Sequence, residues 1–131
     1  NGWDAVVNTN LTGTFRMCRE AFTTGQMKDH GGSIVNIICT YFQGFPGMAH
    51  TGAARAGVDN LTKTLAMEWQ TYGIRVNSCA PGVIYSSSAE SNYSNQEKHA
   101  NNQFDQYLST QAPRIPMRRL GTTQEVSNMV R

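Results

Sequence analysis

The stretch "KDHGGSIVNIIC", residues 28–39, decides the fold. Paired glycines break a helical pattern, and Ser33 to Cys39 follow as an unbroken, β-branched run of strand length. Such runs belong to strands buried on both faces, as in a parallel sheet. Upstream, Val7, Leu11, Phe15, Cys18 and Phe22 step by four, four, three and four, which places them on one face of a helix from about Trp3 to the late twenties. Downstream, after the loop "TYFQGFPGMAHTG", Ala54, Val58, Leu61, Leu65 and Trp69 form a second helical stripe that ends at Gly73. A second apolar run, "IRVNSCA" (Ile74 to Ala80), follows at once and stops at Pro81-Gly82.

Helix, strand, helix, strand with short joints predicts an α/β fold with a doubly wound parallel sheet and right-handed crossovers. Ligands in such sheets bind beyond the carboxyl ends of the strands, here the segments that start at Cys39 and Pro81. Residues 85–112 are polar and rich in serine and asparagine, and their place after a strand end reads as a substrate lid or as a plain solvated insertion. "TTQEVSNMVR" at the end is a further helical pattern. The chain opens and closes inside helical patterns, without an initiator methionine, so an internal piece of a larger protein is expected, one partial domain over 1–131.

Composition narrows the partners. A net charge of +2 over 131 residues, with no block of like charge, gives no footprint for nucleic acid or an anionic membrane surface. No apolar run approaches the roughly 20 residues that span a bilayer. Three cysteines at wide spacings, Cys18, Cys39 and Cys79, form no metal-like pair and fit a reducing compartment. Three Asn-x-Ser/Thr sequons, at Asn10, Asn60 and Asn92, are read as chance, since the first two fall inside helical patterns.

"NLTGTF" (Asn10 to Phe15), "GGSIVNI" (Gly31 to Ile37), "AARAGVDNLTKTLAMEW" (Ala53 to Trp69), "GIRVNSCAPGVI" (Gly73 to Ile84) and "IPMRRLGTTQEV" (Ile115 to Val126) together resemble the short-chain dehydrogenase/reductase family, in that family's order. "HTGAARA" (His50 to Ala56) is similar to a pattern of peroxisomal trans-2-enoyl-CoA and 2,4-dienoyl-CoA reductases and bacterial relatives. The resemblance implies a Rossmann-type fold, a nicotinamide cofactor with NADP(H) preferred over NAD(H), and a homo-oligomer, a tetramer, formed through helices 3–28 and 52–71. It implies a cytoplasmic protein, or a peroxisomal one in a eukaryote. It also places the Gly-rich phosphate loop before Asn1.

Family members use Asn, Ser, Tyr and Lys, and here the match is uneven. Asn10 stands at the asparagine, implied to hold a relay water; a helix-surface role is the alternative. Cys39 stands at the serine, where a thiol is a weaker donor than a hydroxyl, and a structural role is equally open. Arg55 stands at the lysine and keeps a fixed charge able to donate to ribose hydroxyls. Thr51 stands at the tyrosine and cannot ionise near neutrality; His50, one residue before it, can, with an ordinary pKa of about 6.5. Tyr41, two residues past Cys39, is another candidate acid. Asp59, four residues from both Arg55 and Lys63, reads as a helix-surface ion-pair partner. Pro81, Gly82, Val83 and Ile84 match the turn whose backbone holds the nicotinamide carboxamide, with Ser86 at an assisting threonine.

Reducing a ketone localises charge on oxygen, where a positioned acid contributes roughly 10²–10⁴-fold. Reducing a double bond conjugated to a thioester spreads the charge into an enolate, which neutral donors stabilise. The missing tyrosine therefore points to an enoyl- or dienoyl-CoA reductase. A carbonyl reductase or alcohol dehydrogenase using His50 or Tyr41, and a non-catalytic binding subunit, are the alternatives.

Overall fold

A computed structural model describes residues 2–40, 43–87, 106 and 109–131. The chain forms two compact units, Asn1–Ala80 and Pro81–Arg131.

The first unit opens with helix α1 (Gly2–Val7), a π-helical turn (Asn8–Thr12) and helix α2 (Gly13–Thr23), then a short helix α3 (Met27–His30). The single helix expected from Trp3 to the late twenties is thus divided. The π turn is marked by the Gly13 N–H bonding to the Asn8 carbonyl, and Gln26 in the left-handed region (φ 63°) separates α2 from α3. The wider turn rotates the helix face. Cys18 enters the core, whereas Phe15 is left 43% exposed with the Arg19 guanidinium 6.0 Å from its ring centroid.

Strand β1 (Gly32–Ile37) follows, then helix α4 (Ala49–Trp69), a 3₁₀ turn (Gln70–Tyr72) and strand β2 (Ile74–Cys79). The strands pair in parallel, Gly32 opposite Ile74 through Ile37 opposite Cys79. Both are launched by left-handed glycines. Gly31 (φ 72°) comes so close to its neighbour that a Cβ there would lie 2.9 Å from the Gly73 carbonyl oxygen, and Gly73 itself has φ 68°.

One face of this sheet carries the core. Cys18, Leu65, Trp69, Ile74 and Val76 cluster with Phe22, Met27, Ile34, Leu61 and Ala66 around them. Phe22 stacks on Trp69 at 4.6 Å between ring centroids, and Tyr72 meets Phe22 edge-on. Gly57 on α4 allows Leu11 to pack closely, since a Cβ would stand 3.0 Å from its methyl carbon. Within this chain, Ser33, Val35 and Ile37 of β1 are exposed. The residues that alternate with them, Ile34 and Asn36, face the helices, so period-2 geometry sends the other set away from that layer.

The second unit contains strand β3 (Ile84–Tyr85), a 3₁₀ turn (Ala112–Arg114), strand β4 (Gly121–Thr122) and helix α5 (Thr123–Val130). Strands β3 and β4 also pair in parallel. Most of the expected lid over 85–112 lies outside the described residues. Among the described residues, no helix is long and apolar enough to cross a membrane.

Candidate active site

Helix α4 returns antiparallel to the strands from the loop after β1, so its first turns stand at the carboxyl end of the sheet. Its buried stripe is Ala54, Val58, Thr62, Leu65 and Trp69. Four residues before Ala54, that stripe begins with His50, half-buried in the first turn.

The His50 ring is held by the next residue. The Thr51 backbone N–H donates to Nδ1 at 2.7 Å, and Thr51 Oγ1 lies 3.1 Å from the same nitrogen. One turn further on, Arg55 Nη1 donates to the Ile37 carbonyl at 2.7 Å. Arg55 is thereby tied to the last residue of β1, two residues before Cys39, a half-buried free thiol. Among the described residues this is the one side-chain hydrogen bond Arg55 makes, so its remaining guanidinium N–H groups are available to a ligand's hydroxyl or anionic oxygens. The structure thus brings Arg55 to the strand end at Ile37 and joins His50 to Thr51. Tyr41 lies outside the described residues.

Asn10 falls inside the π turn, a distortion that recurs at functional sites. Its side-chain amide donates to the Val6 carbonyl at 3.1 Å, and its own carbonyl accepts from Thr14 Oγ1 at 2.7 Å. Asp59 has the structural role expected: Oδ2 pairs with Lys63 Nζ at 2.7 Å, and Ser78 Oγ donates to Oδ1 at 3.1 Å, tying α4 to β2.

One arrangement was not legible in the sequence. Asn36, buried in the middle of β1, donates through Nδ2 to Thr62 Oγ1 at 2.9 Å, and Thr62 in turn donates to the Val58 carbonyl at 2.8 Å. The Cys18 thiol lies 3.6 Å from Asn36 Oδ1, and burial pushes that thiol above its ordinary pKa. This polar chain fixes α2, β1 and α4 to one another beneath the site. The available signal was an asparagine inside an apolar strand run, since a buried amide needs partners.

In the second unit, the Val83 carbonyl accepts from the Gly121 N–H at 3.0 Å, and Ile84 lies in β3. The pairing holds the backbone just after the Pro81-Gly82 turn. A Cβ built on Gly82 would meet nothing within 4 Å, which leaves its backbone open to a ligand. Ser86 is half-buried. In the first unit, a guanidinium with donors to spare has the chemistry to bind hydroxyl or anionic oxygens such as those of a nicotinamide dinucleotide.

A family model described as Enoyl-(Acyl carrier protein) reductase matches residues 1–131. The chain is 40% identical over 131 residues to a peroxisomal 2,4-dienoyl-CoA reductase of Rattus norvegicus, covering 99% of this chain and 42% of that protein. It is 36% identical over 129 residues to a probable 2,4-dienoyl-CoA reductase of Bacillus subtilis (strain 168), covering 97% and 48%. Among solved structures, a variant of actinorhodin polyketide ketoreductase with NADPH superposes with a TM-score of 0.82 at 32% identity, covering 98% of this chain and 50% of that one. The chain belongs to the short-chain dehydrogenase/reductase family, with the Rossmann-type fold the sequence predicted. It spans about half the length of the curated relatives it matches.

Proposed function

We propose that the full-length protein is a nicotinamide-dependent reductase of an enoyl or dienoyl thioester, of acyl-CoA type, using NADP(H) in preference to NAD(H). The observation that carries this reading is the start of α4, where Thr51 stands at the tyrosine position and a phenol is absent from residues 48–69. The names of the rat and Bacillus subtilis relatives support the substrate class.

When bound, the dinucleotide supplies hydride. This chain's residues do the rest. Arg55, fixed to the Ile37 carbonyl, offers its remaining N–H groups to the ribose of the cofactor. The backbone at Gly82 to Ile84 offers polar groups to the carboxamide and so selects which face of the ring is presented. Cys39 and His50, at the carboxyl end of β1 and the first turn of α4, supply donors for the substrate oxygen. Asn10 in the π turn holds a water on the proton path. A homo-oligomer is part of the same reading.

A ketone-reducing activity is the second reading, favoured by the similarity to a polyketide ketoreductase; His50 or Tyr41 would then give the proton. NADPH consumption by the full-length protein, offered a 2-enoyl-CoA, a 2,4-dienoyl-CoA and a simple ketone side by side, separates the two. Turnover of only the unsaturated thioesters is expected. Turnover of only the ketone overturns the proposal, and nucleotide binding without turnover of any of the three makes the protein a binding subunit.

A further inference from the structure

We infer that His50 and Thr51 together replace the missing phenol as a neutral hydrogen-bond donor: Thr51 fixes the His50 ring in the Nε2–H tautomer, and that N–H holds the thioester oxygen of the substrate. The inference rests on the thioester-reductase reading above and gives its donor an identity and a protonation state.

A backbone N–H can only donate. The 2.7 Å contact from the Thr51 N–H therefore makes Nδ1 an acceptor, and the neutral ring carries its proton on Nε2. Thr51 Oγ1, 3.1 Å from the same Nδ1, can then only donate toward it. Both polar groups of Thr51 converge on one nitrogen. The arrangement therefore favours the tautomer that donates through Nε2. Among the described residues Nε2 has no partner, which leaves it open to a ligand.

The position of the ring gives that donor a target. His50, Ala54, Val58 and Thr62 are spaced by four, and the last three are 1%, 0% and 3% exposed, so the stripe faces the sheet. His50 is its half-buried outer end, beyond the point where β1 stops and Arg55 reaches Ile37. Ligands of open parallel sheets bind at that edge.

The chemistry needs a donor there and no acid. As hydride from a reduced nicotinamide forms a C–H bond at the unsaturated chain, the displaced π electrons move along the conjugated system onto the thioester oxygen. The Nε2–H of His50 hydrogen-bonds that oxygen without giving up its proton. Water then protonates carbon and leaves as hydroxide, so the reduction is balanced by one hydride, which brings both electrons, and one proton from water.

The test uses the full-length protein with NADPH and a 2-enoyl-CoA. Loss of one positioned donor in a dry site costs on the order of 10²–10³ in kcat. His50→Leu is expected to lose that much with KM little changed, and His50→Gln, which restores an N–H donor that cannot act as an acid, to stay within about tenfold of the parent protein. Thr51→Val, which removes the hydroxyl but keeps the backbone N–H, should fall between them. ¹⁵N NMR of the histidine rings should show His50 protonated at Nε2 and bare at Nδ1. A His50→Gln variant as impaired as His50→Leu, or a ring protonated at Nδ1, overturns the inference. If the parent protein reduces no thioester, the functional reading fails, and the NMR result still decides the tautomer on its own.

Discussion

The two units are held together by different physics. In Asn1–Ala80, residues from α2, β1, α4 and β2 bury their side chains together, and Ala54, Val58 and Ile74 are 2% exposed or less. In Pro81–Arg131, no described residue is buried, and apart from the pairing of β3 with β4 the organising contacts are polar and close in sequence. Arg119 meets Glu125 through two bonds, Nη1 to Oε2 at 3.0 Å and Nη2 to Oε1 at 2.7 Å. Thr122 and Glu125 cap each other's backbone N–H at the start of α5. The first unit therefore depends on apolar area removed from water and the second on charge and hydrogen bonds in contact with it. Chemistry that needs fixed geometry is better served by the first, which is where His50, Thr51 and Arg55 stand.

The comparison can be broken most sharply at Trp69. Its ring is 9% exposed and stacked on Phe22, so Trp69→Ala in the full-length protein should cost about 3–5 kcal/mol in a urea melt. A loss under about 1 kcal/mol would mean that the cluster is not what holds the first unit.

A smaller effect is expected at the cap of α5. Thr122→Ala removes the acceptor for the Glu125 N–H and should cost about 1 kcal/mol, read as reduced amide-exchange protection in Thr123–Val130. Loss of protection in α4 instead would contradict the local character assigned to the second unit.

The mildest effect is the one acid produces. Hydrogen bonds from the Arg119 guanidinium, with further bonds from Thr122, lower the Glu125 carboxyl from 4.5 to about 2. A depressed carboxylate adds stability above its unfolded value and loses it as pH falls through its folded one. Protection of α5 should therefore hold above about pH 4.5 and decline toward pH 2. Since the pair is exposed, salt should weaken it as well. A Glu125→Gln variant with an unchanged acid response would remove Glu125 from the account.

Much of the fold was legible because it is written locally. The strand expected over Ser33 to Cys39 is observed over Gly32–Ile37, and the one expected over Ile74 to Ala80 over Ile74–Cys79. β-branched runs and glycine breaks act within a few residues, so pattern alone finds them. The helix around Ala54 to Trp69 was legible for the same reason, although it begins earlier, at Ala49. The π turn was not, because the stripe from Val7 to Phe22 also fits an uninterrupted helix, and a local shift in backbone hydrogen bonding decides between them. Thr51, His50 and Arg55 are candidates through the family resemblance, whereas their contacts, the Thr51 N–H on His50 Nδ1 and the Ile37 carbonyl on Arg55, were out of reach of the sequence.

The sequence by itself determined the alternation of helix and strand, the family, and the absence of tyrosine from the start of α4. Tertiary structure decided which face of β1 is covered, that Arg55 reaches back 18 residues to the Ile37 carbonyl, and that Asn36 finds Thr62 26 residues away. The reason is range. Backbone preferences are fixed by neighbours along the chain, whereas a buried amide, or a long guanidinium at the surface, takes whichever partner packing brings within about 3 Å.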